Sequence, residues 1–558
     1  MLKPKLMTVL KEGYTKEQLF KDIVAGIIVG IIAIPLSIAL AIASGVSPEK
    51  GLYTAIIAGF IISLLGGSRV QIGGPTGAFV VIIYDIIQKQ GYQALVVATL
   101  LAGLILIFMG LLKLGSIIKY IPYPITTGFT SGIALVIFSQ QIKDFFGLQM
   151  EHVPSEFIPR WSEYIKTFNT MSVNSLIVGI ISLLIIMGWP YINKKIPGQL
   201  VAIGVTTGAV QLLGIKVETI GDRYSQLKAA LPTLQVPQIS LSTITSLLPT
   251  ALTIAVLAGI ESLLSAVVAD GMIGGKHRSN MELVAQGTAN IFSVLFGGIP
   301  ATGAIARTAA NIRNGGRTPV AGMVHSLTVL AVMMLLMPLA KLIPMTTLAA
   351  ILMVVAYNMS EWRSFKNLFK APKTDIAVLL VTFVLTVVFD LVVAIEFGVV
   401  MAAFLFMKRM ADTTKVESIK DDLEDTPDLT MNNPEGIDPA IQVYQIYGPF
   451  FFGAADKFTD TIRESITPTR AMIIRMKHVP FMDATAYHAL FKTYSYCRKH
   501  RILLLFTQVQ EPVYALLDKN GFIELVGRDN FCENIEGALI RANAYIELHR
   551  KYPIAKEA

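Results

Sequence analysis

The 558-residue sequence is short of charged side chains and of cysteine. Asp, Glu, Lys and Arg make up 15% of the chain and apolar residues 53%, whereas soluble proteins contain about 25% charged residues. This composition excludes an ordinary soluble protein. The two cysteines, Cys497 and Cys532, are too few for a disulfide scaffold or a cysteine-rich zinc site.

Motifs for catalysis and for nucleic-acid binding are also missing from the sequence. No Walker loop, zinc-ligand spacing, dinucleotide fingerprint or nucleophile–base set stands in a suitable strand–turn–helix setting. The formal net charge of +8 combines 30 basic and 18 acidic residues in 1–410 with 17 and 21 in 411–558, which is not the pattern of a nucleic-acid-binding surface. We therefore expect neither an enzyme, nor a resident cofactor, nor a nucleic-acid partner.

Apolar segments follow one another from Ile23 to Met407 with brief polar breaks. Since about 20 mainly apolar residues cross the hydrocarbon layer, we predict fourteen membrane-spanning segments, of which the third and the tenth are short. Lys and Arg concentrate before the first segment and in alternate connectors, which places both termini in the cytosol. We expect a multi-pass protein of a bacterial inner (cytoplasmic) membrane. The predicted segments are 22–45, 51–67, 75–88, 93–112, 120–140, 173–192, 198–215, 246–271, 282–297, 301–312, 319–339, 344–359, 374–390 and 392–408.

The pattern changes after the last apolar segment. Strand-like stretches around 441–448, 471–477 and 502–506 alternate with helix-like stretches, as in a small soluble α/β domain. Four regions are therefore predicted. They are a cytoplasmic N-terminal segment (1–21), a transmembrane domain (22–410), an acidic, solvated linker (411–438) and an α/β domain (439–558).

One short motif occurs twice in the transmembrane domain. Gly74–Ala78 (GPTGA) resembles Pro300–Ala304 (PATGA) at an offset of 226 residues. Seven membrane crossings, an odd number, separate the two copies of the motif. The two repeats, about 22–215 and 246–408, must therefore be inverted relative to each other. Helices that begin at mid-depth would point unpaired N–H groups and positive dipole ends at each other, which favours an anion. The alternative is that these glycines only allow close helix packing.

Two ionisable residues fall inside the predicted apolar segments near these motifs. Arg307 follows Thr302 by five residues and would add positive charge to the anion site, the alternative being a structural ion pair or an arginine reaching toward the cytosol. Glu261 lies within the eighth segment and would carry a proton with the anion or bind Na⁺, the alternative being a permanent ion pair with Arg307. Ser37, beside Pro35, is a further hydroxyl candidate, although packing explains it equally well.

Three stretches of the sequence resemble a known family of anion transporters. GLYTAIIAGFIISLLGGSR (51–69) and GGIPATGAIARTAANIRNGGRTPVAG (297–322) resemble the signature and the tenth-helix region of the sulfate permease (SulP) family. VPFMDATAYHAL (479–490) resembles a sulfate-transporter and anti-sigma-antagonist (STAS) domain.

The resemblance implies an all-α polytopic membrane protein with a nucleobase-transporter-like 7+7 inverted repeat, a core and a gate domain, and a C-terminal cytoplasmic α/β STAS domain. It also implies an elevator-type movement and a homodimer. Arg307 falls on the family's tenth-helix arginine and Glu261 on its eighth-helix acid, a coupling site. The anion is then expected at Thr76, Gly77, Ala78, Ala301, Thr302 and Gly303.

Within the family, the stretches VAGIIVGIIAIPLSIALAIASGV, IKDFFGLQMEHVP and VVAYNMSEW are most similar to bacterial members that take up C4-dicarboxylates. We therefore expect proton-coupled uptake of succinate or fumarate by alternating access. The alternatives are sulfate or Na⁺-coupled bicarbonate symport, or anion exchange. Two other classes remain open: a passive anion channel, and a membrane-tethered sensor whose STAS domain recruits a soluble partner.

Overall fold

The computed structural model describes residues 2–116, 122–150, 153–193, 196–225, 230–237, 240–389, 391–418, 437–464 and 469–551. The chain divides into two compact units, Met1–Ala402 and Ala403–Ala558.

In the described part of the first unit, the regular secondary structure is helical except for one pair of two-residue strands. The helices, including the one that leads out of this unit, are α1 (Lys5–Glu12), α2 (Lys16–Ala43), α3 (Pro48–Leu65), α4 (Gly77–Leu111), α5 (Tyr123–Gln140), α6 (Ile142–Phe146), α7 (Phe157–Thr167), α8 (Val173–Ile192), α9 (Gly198–Leu213), α10 (Ile220–Arg223), α11 (Leu241–Ile273), α12 (Ser279–Leu295), α13 (Ile305–Arg313), α14 (Pro319–Ala340), α15 (Met345–Met359), α16 (Trp362–Leu368), α17 (Lys373–Val388) and α18 (Leu391–Thr413).

Each predicted membrane segment overlaps one of these helices, although the tenth, predicted over 301–312, is helical only from Ile305. Gly91 (φ 79°, ψ 176°) interrupts α4 between the third and fourth segments and divides it into two helical parts, since glycine adopts this conformation without a steric penalty. Among the described residues, seven helices are long and apolar enough to cross a membrane by length and composition. The number of fourteen crossings and the inverted topology therefore stay predictions.

Small residues let the helices of the first unit pack closely. A Cβ atom at Gly26 of α2 would lie 2.5 Å from the Ala321 carbonyl oxygen of α14, and one at Gly103 of α4 would lie 2.7 Å from the Gly287 carbonyl oxygen of α12. Such close approaches between backbones are typical of membrane helices, where small residues line the contact. The long helices are thereby held around the connections that precede α4 and α13.

These two connections meet in the interior of the unit. Strand β1 (Gly73–Gly74) pairs antiparallel with strand β2 (Thr302–Gly303), so that Gly73 faces Gly303 and Gly74 faces Thr302. All four residues are buried. The pairing places the two copies of the repeated motif side by side.

The second unit is built on a five-stranded sheet in the order β3-β4-β5-β6-β7. Strand β3 is antiparallel to β4, and the other neighbours are parallel, which confirms the predicted α/β architecture. The strands are β3 (Lys415–Ser418), β4 (Ile441–Tyr447), β5 (Ala471–His478), β6 (Leu503–Thr507) and β7 (Phe531–Cys532), and the helices are α19 (Phe452–Glu464), α20 (Ala484–Lys499), α21 (Glu511–Lys519), α22 (Phe522–Val526) and α23 (Ile535–Lys551).

One feature of the second unit corrects the sequence analysis. Strand β3 lies inside the stretch 411–438 that was predicted to be a solvated linker. Its alternating side chains include the half-buried Val416, and its four residues pair with 444–447 of β4. The acidic part of the predicted linker, 419–436, lies outside the described residues.

Candidate anion-binding site

The site is organised by the strand pair β1–β2 and by two hydrogen bonds that extend it. The Ala304 amide donates to the Ile72 carbonyl oxygen at 2.9 Å. The Ile72 amide donates to the Thr308 hydroxyl at 3.0 Å. These bonds fix the start of α13 against the chain that leads into α4.

The first half of the site is the start of α4. Thr76 occupies the N-cap position, and Gly77 is the first helical residue. The Thr76 hydroxyl donates to the Glu261 carboxylate at 2.8 Å. Within the described part of the chain, the N–H groups of Gly77 and Ala78 have no hydrogen-bond acceptor, as expected for the first turn of a helix, whose free N–H groups carry the positive end of the helix dipole.

The second half of the site is arranged differently. The Thr302 hydroxyl donates to the Ala258 carbonyl oxygen at 2.9 Å. The Ala301 amide donates to Asn290 Oδ1 at 2.9 Å, and the Ala301 carbonyl accepts from Asn290 Nδ2 at 2.8 Å. These hydrogen-bonding groups, which the sequence analysis expected to face the anion, are therefore used within the protein.

Helix α13 begins at Ile305, two residues after Gly303, the last residue of strand β2. In the described structure, no acceptor is present for the N–H groups of Ile305, Ala306 and Arg307. Ile305 and Ala306 are exposed, whereas Ala301 to Ala304 are buried. Two of these free amides, those of Ile305 and Ala306, belong to residues that the sequence did not single out, whereas Arg307 was expected at the site for its side chain.

Arg307 connects the two halves. Its side chain is buried, and Nη2 donates to the Pro75 carbonyl oxygen. Nε and Nη1 have no partner among the described residues. A Cβ atom at Gly74, whose φ is +150°, would lie 2.4 Å from Nη1. A guanidinium with unused N–H groups thus lies directly beside β1. A charge inside a membrane is costly unless it faces a binding partner or a water-filled cavity.

Glu261 and Arg307 do not form the permanent ion pair that the sequence analysis kept as an alternative. Among the described residues, no acid lies within 4.0 Å of Arg307, because Glu261 accepts from Thr76 and Arg307 donates to Pro75. Ser37 is fully buried, and its hydroxyl has no hydrogen bond in the described structure. Since no hydrogen bond among the described residues joins it to the other candidates, its role in binding stays a prediction.

A row of polar residues on α12 escaped the sequence analysis. Glu282, Gln286 and Asn290 are fully buried, and they lie four residues apart, so they share one face of the helix. Their spacing within an otherwise apolar segment is the signal that would have identified them. Among the described residues, no group of three or more His, Cys, Asp or Glu side chains could hold a metal ion.

Comparison with known proteins agrees with this architecture. The model of the "Sulfate permease family" matches residues 19–382, and the "STAS domain" model matches residues 433–538. The chain is 41% identical over 525 residues to "Putative sulfate transporter YvdB" of Bacillus subtilis, which covers 94% of this chain and 98% of that protein.

More distant relatives extend the comparison. "Bicarbonate transporter BicA" of Picosynechococcus is 30% identical over 488 residues, with 84% of this chain and 85% of that protein covered. The structure of the murine Slc26a9 anion transporter in its inward-facing state superposes with a TM-score of 0.86 at 19% identity, covering 97% of this chain and 94% of that chain. This last likeness shows a shared fold.

Proposed function

Because this chain belongs to the sulfate permease family of anion transporters, we propose that it is a secondary active transporter of a small inorganic oxyanion, sulfate or bicarbonate. The observation that carries the proposal is the β1–β2 pair. It brings together two helix starts with free N–H groups and the unpaired N–H groups of Arg307. Helix N-termini and a guanidinium are groups that bind oxyanions in proteins.

The substrate preference differs from the one that the sequence resemblance implied. The relatives reported above are named as sulfate or bicarbonate transporters, which supports the alternative over C4-dicarboxylates. A succinate ion carries two separated carboxylates, and one guanidinium with two compactly placed helix starts suits a compact anion better. We therefore place sulfate first, on the higher identity to YvdB, and bicarbonate second.

Ion coupling is assigned to Glu261. Its carboxylate accepts a hydrogen bond from the hydroxyl of Thr76, which is the N-cap residue of α4. A proton or Na⁺ at Glu261 would therefore change the hydrogen bond at the helix start that holds the anion. The elevator-type movement and the homodimer that the resemblance implies, together with a location in a bacterial inner membrane with cytoplasmic termini, belong to this proposal.

Flux measurements in liposomes test the proposal. Purified full-length protein would be reconstituted, and uptake of sulfate, bicarbonate, succinate and fumarate would be compared under a proton gradient and, separately, a Na⁺ gradient. We expect uphill accumulation of sulfate or bicarbonate under one gradient, and its collapse when an ionophore dissipates that gradient.

The other classes give different results in the same liposomes. A passive channel would equilibrate the anion without accumulating it, and a sensor with a vestigial membrane domain would give no flux. Preferential accumulation of succinate or fumarate would restore the C4-dicarboxylate assignment. Each of these results would overturn the proposed function.

A further inference from the structure

A buried carboxylate on α12 has no part in the site described so far. Glu282 is 0% exposed, and among the described residues no Lys, Arg or His lies within salt-bridge distance of it. Oε2 accepts from the amides of Gly67 and Ser68 at 2.8 and 3.2 Å, and Oε1 accepts from Ser262 Oγ and Gln286 Nε2 at 3.1 and 3.0 Å. Burying a charge without a counter-ion is strongly unfavourable, so these four donors must compensate it.

The hydrogen bonds between the site and Glu282 have a fixed direction, with each donor on the side of the site and Glu282 as the final acceptor. The Ser262 hydroxyl has one proton, which it donates to Glu282, so its oxygen accepts from Gln71 Nε2 at 2.9 Å. Gln71 Nε2 also donates to the Ser262 carbonyl oxygen at 3.3 Å. The Gln71 amide is therefore held in one orientation.

Gln71 in turn lies against strand β2. A Cβ atom at Gly303 would lie 1.5 Å from Gln71 Nε2, so the amide fills the space beside the Gly303 backbone. Gly303 faces Gly73 in the strand pair. A chain of contacts thus runs from Glu282 through Ser262 and Gln71 to the strand pair that brings the two helix starts together.

We propose that Glu282 is a positioning residue for anion binding, an inference that rests on the proposed function and refines it. Glu282 does not touch the anion. It holds β2 at its distance from β1 through Ser262 and Gln71, and it holds the end of α3 through the amides of Gly67 and Ser68. The gap between the starts of α4 and α13 depends on both.

The chain offers a matched control for this carboxylate. Asp22 of α2 is also 0% exposed, and it accepts from Tyr14, Gln18 and Thr318 side chains at 2.7, 3.1 and 2.6 Å. The amides of Arg317 and Thr318 donate to it as well. These partners lie before and within the start of α2 and before α14, so the Asp22 network stabilises the fold without reaching the strand pair.

The experiment compares Glu282→Gln with Asp22→Asn in the full-length protein reconstituted in liposomes. In either orientation, the side-chain amide introduced by Glu282→Gln would place an NH₂ group against donors from which the carboxylate now accepts. Uptake of the anion that the wild type transports is measured over a range of concentrations and normalised to folded protein. We expect Glu282→Gln to raise KM about tenfold, the effect of losing one hydrogen bond to a charged group. Asp22→Asn should lower thermal stability and leave KM unchanged.

A second variant keeps the test decisive where Glu282→Gln folds poorly. Ser262→Ala leaves the bonds from Gly67, Ser68 and Gln286 to Glu282 and the bond from Gln71 to the backbone carbonyl of residue 262 in place, and it removes only the hydroxyl that joins Glu282 to Gln71. It should raise KM in the same direction, and the double variant should be no worse than Glu282→Gln alone, since residues acting through one chain are not additive. Unchanged KM in folded Ser262→Ala, or fully additive effects, would overturn the inference. Absence of flux in the wild type would instead refute the proposed function.

Discussion

The two copies of the repeated motif look alike in sequence and act differently in the structure. The offset of 226 residues aligns Thr76 with Thr302 and Gly77 with Gly303. Thr76 and Gly77 start helix α4, whereas Thr302 and Gly303 form strand β2, and α13 begins only at Ile305. The comparison teaches that a repeat identifies which segments meet, while the local register decides which atoms face a ligand.

The threonine hydroxyls show the same asymmetry. Thr76 donates to the carboxylate of Glu261, and Thr302 donates to the backbone carbonyl of Ala258. A carboxylate changes its acceptor capacity when it binds a proton or a cation, and a backbone carbonyl has no such change available. We therefore assign ion coupling to the first half of the site and a fixed backbone frame to the second.

The largest contrast is expected between the aligned glycines. Gly303→Ala would place Cβ 1.5 Å from Gln71 Nε2, whereas Gly77→Ala would place it 3.0 Å from the flexible end of Met359. Gly303→Ala should abolish uptake and cost about 3 kcal/mol of stability. Gly77→Ala should retain uptake within about tenfold of the wild type. Uptake into liposomes and thermal unfolding would be measured for both variants. Equal losses of uptake and stability in the two variants would contradict the proposed asymmetry.

Arg307 is expected to have the next largest effect because it serves both halves. Arg307→Ala removes the donor to Pro75 and the unpaired N–H groups beside β1. Since hydrogen bonds to charged groups contribute about 1.5–3 kcal/mol, uptake should fall about 100-fold. Arg313→Ala, an exposed arginine of the same helix, should transport normally. Undiminished flux in Arg307→Ala would contradict the assignment.

Glu261→Gln separates coupling from binding. The amide oxygen still accepts from Thr76, so the start of α4 keeps its hydrogen bond, but the side chain no longer carries a charge that a proton or Na⁺ neutralises. Gradient-driven accumulation should be lost while downhill anion exchange continues. Glu163→Gln, on the surface of α7, is the control. Accumulation that survives in Glu261→Gln would move the coupling site elsewhere.

The smallest effects are expected from the two threonines, whose substitution compares the two halves of the site one hydrogen bond at a time. Thr302→Val removes a neutral hydrogen bond and should lower the free energy of unfolding by about 1 kcal/mol without changing coupling. Thr76→Val removes the donor to Glu261 and should change the dependence of uptake on the driving ion. Thermal unfolding and the ion dependence of flux measure both, and identical behaviour of the two variants would refute the division of roles.

Hydropathy and motif spacing predicted much of this architecture, because apolar length and repeats act over whole segments. The helices fall where apolar runs indicated them, and the meeting of the Thr76 and Thr302 motifs followed from their spacing. Local hydrogen bonding was not predictable in the same way. Whether the chain at Thr302 continues as strand or starts a helix depends on Asn290 and Ala258, which are close in space but not adjacent in sequence.

Other misses have similar physical reasons. Strand β3 was assigned to the linker because the stretch is acidic with little apolar content, and its four residues, of which only Val416 is apolar, form a strand by pairing with β4. Glu282 was overlooked because its four hydrogen-bond donors come from three separate segments.

The central claim is that one oxyanion binds between the start of α4 and the β2–α13 connection, beside Arg307. Anomalous diffraction at the selenium edge, from crystals of the protein soaked in selenate as a sulfate analogue, tests it most directly. We predict a single selenium peak close enough to the Gly77 and Ala78 amides for the selenate oxygens to accept hydrogen bonds from them, and its loss in Arg307→Ala crystals. A peak elsewhere in the membrane domain, or one that persists without the guanidinium, would contradict the account.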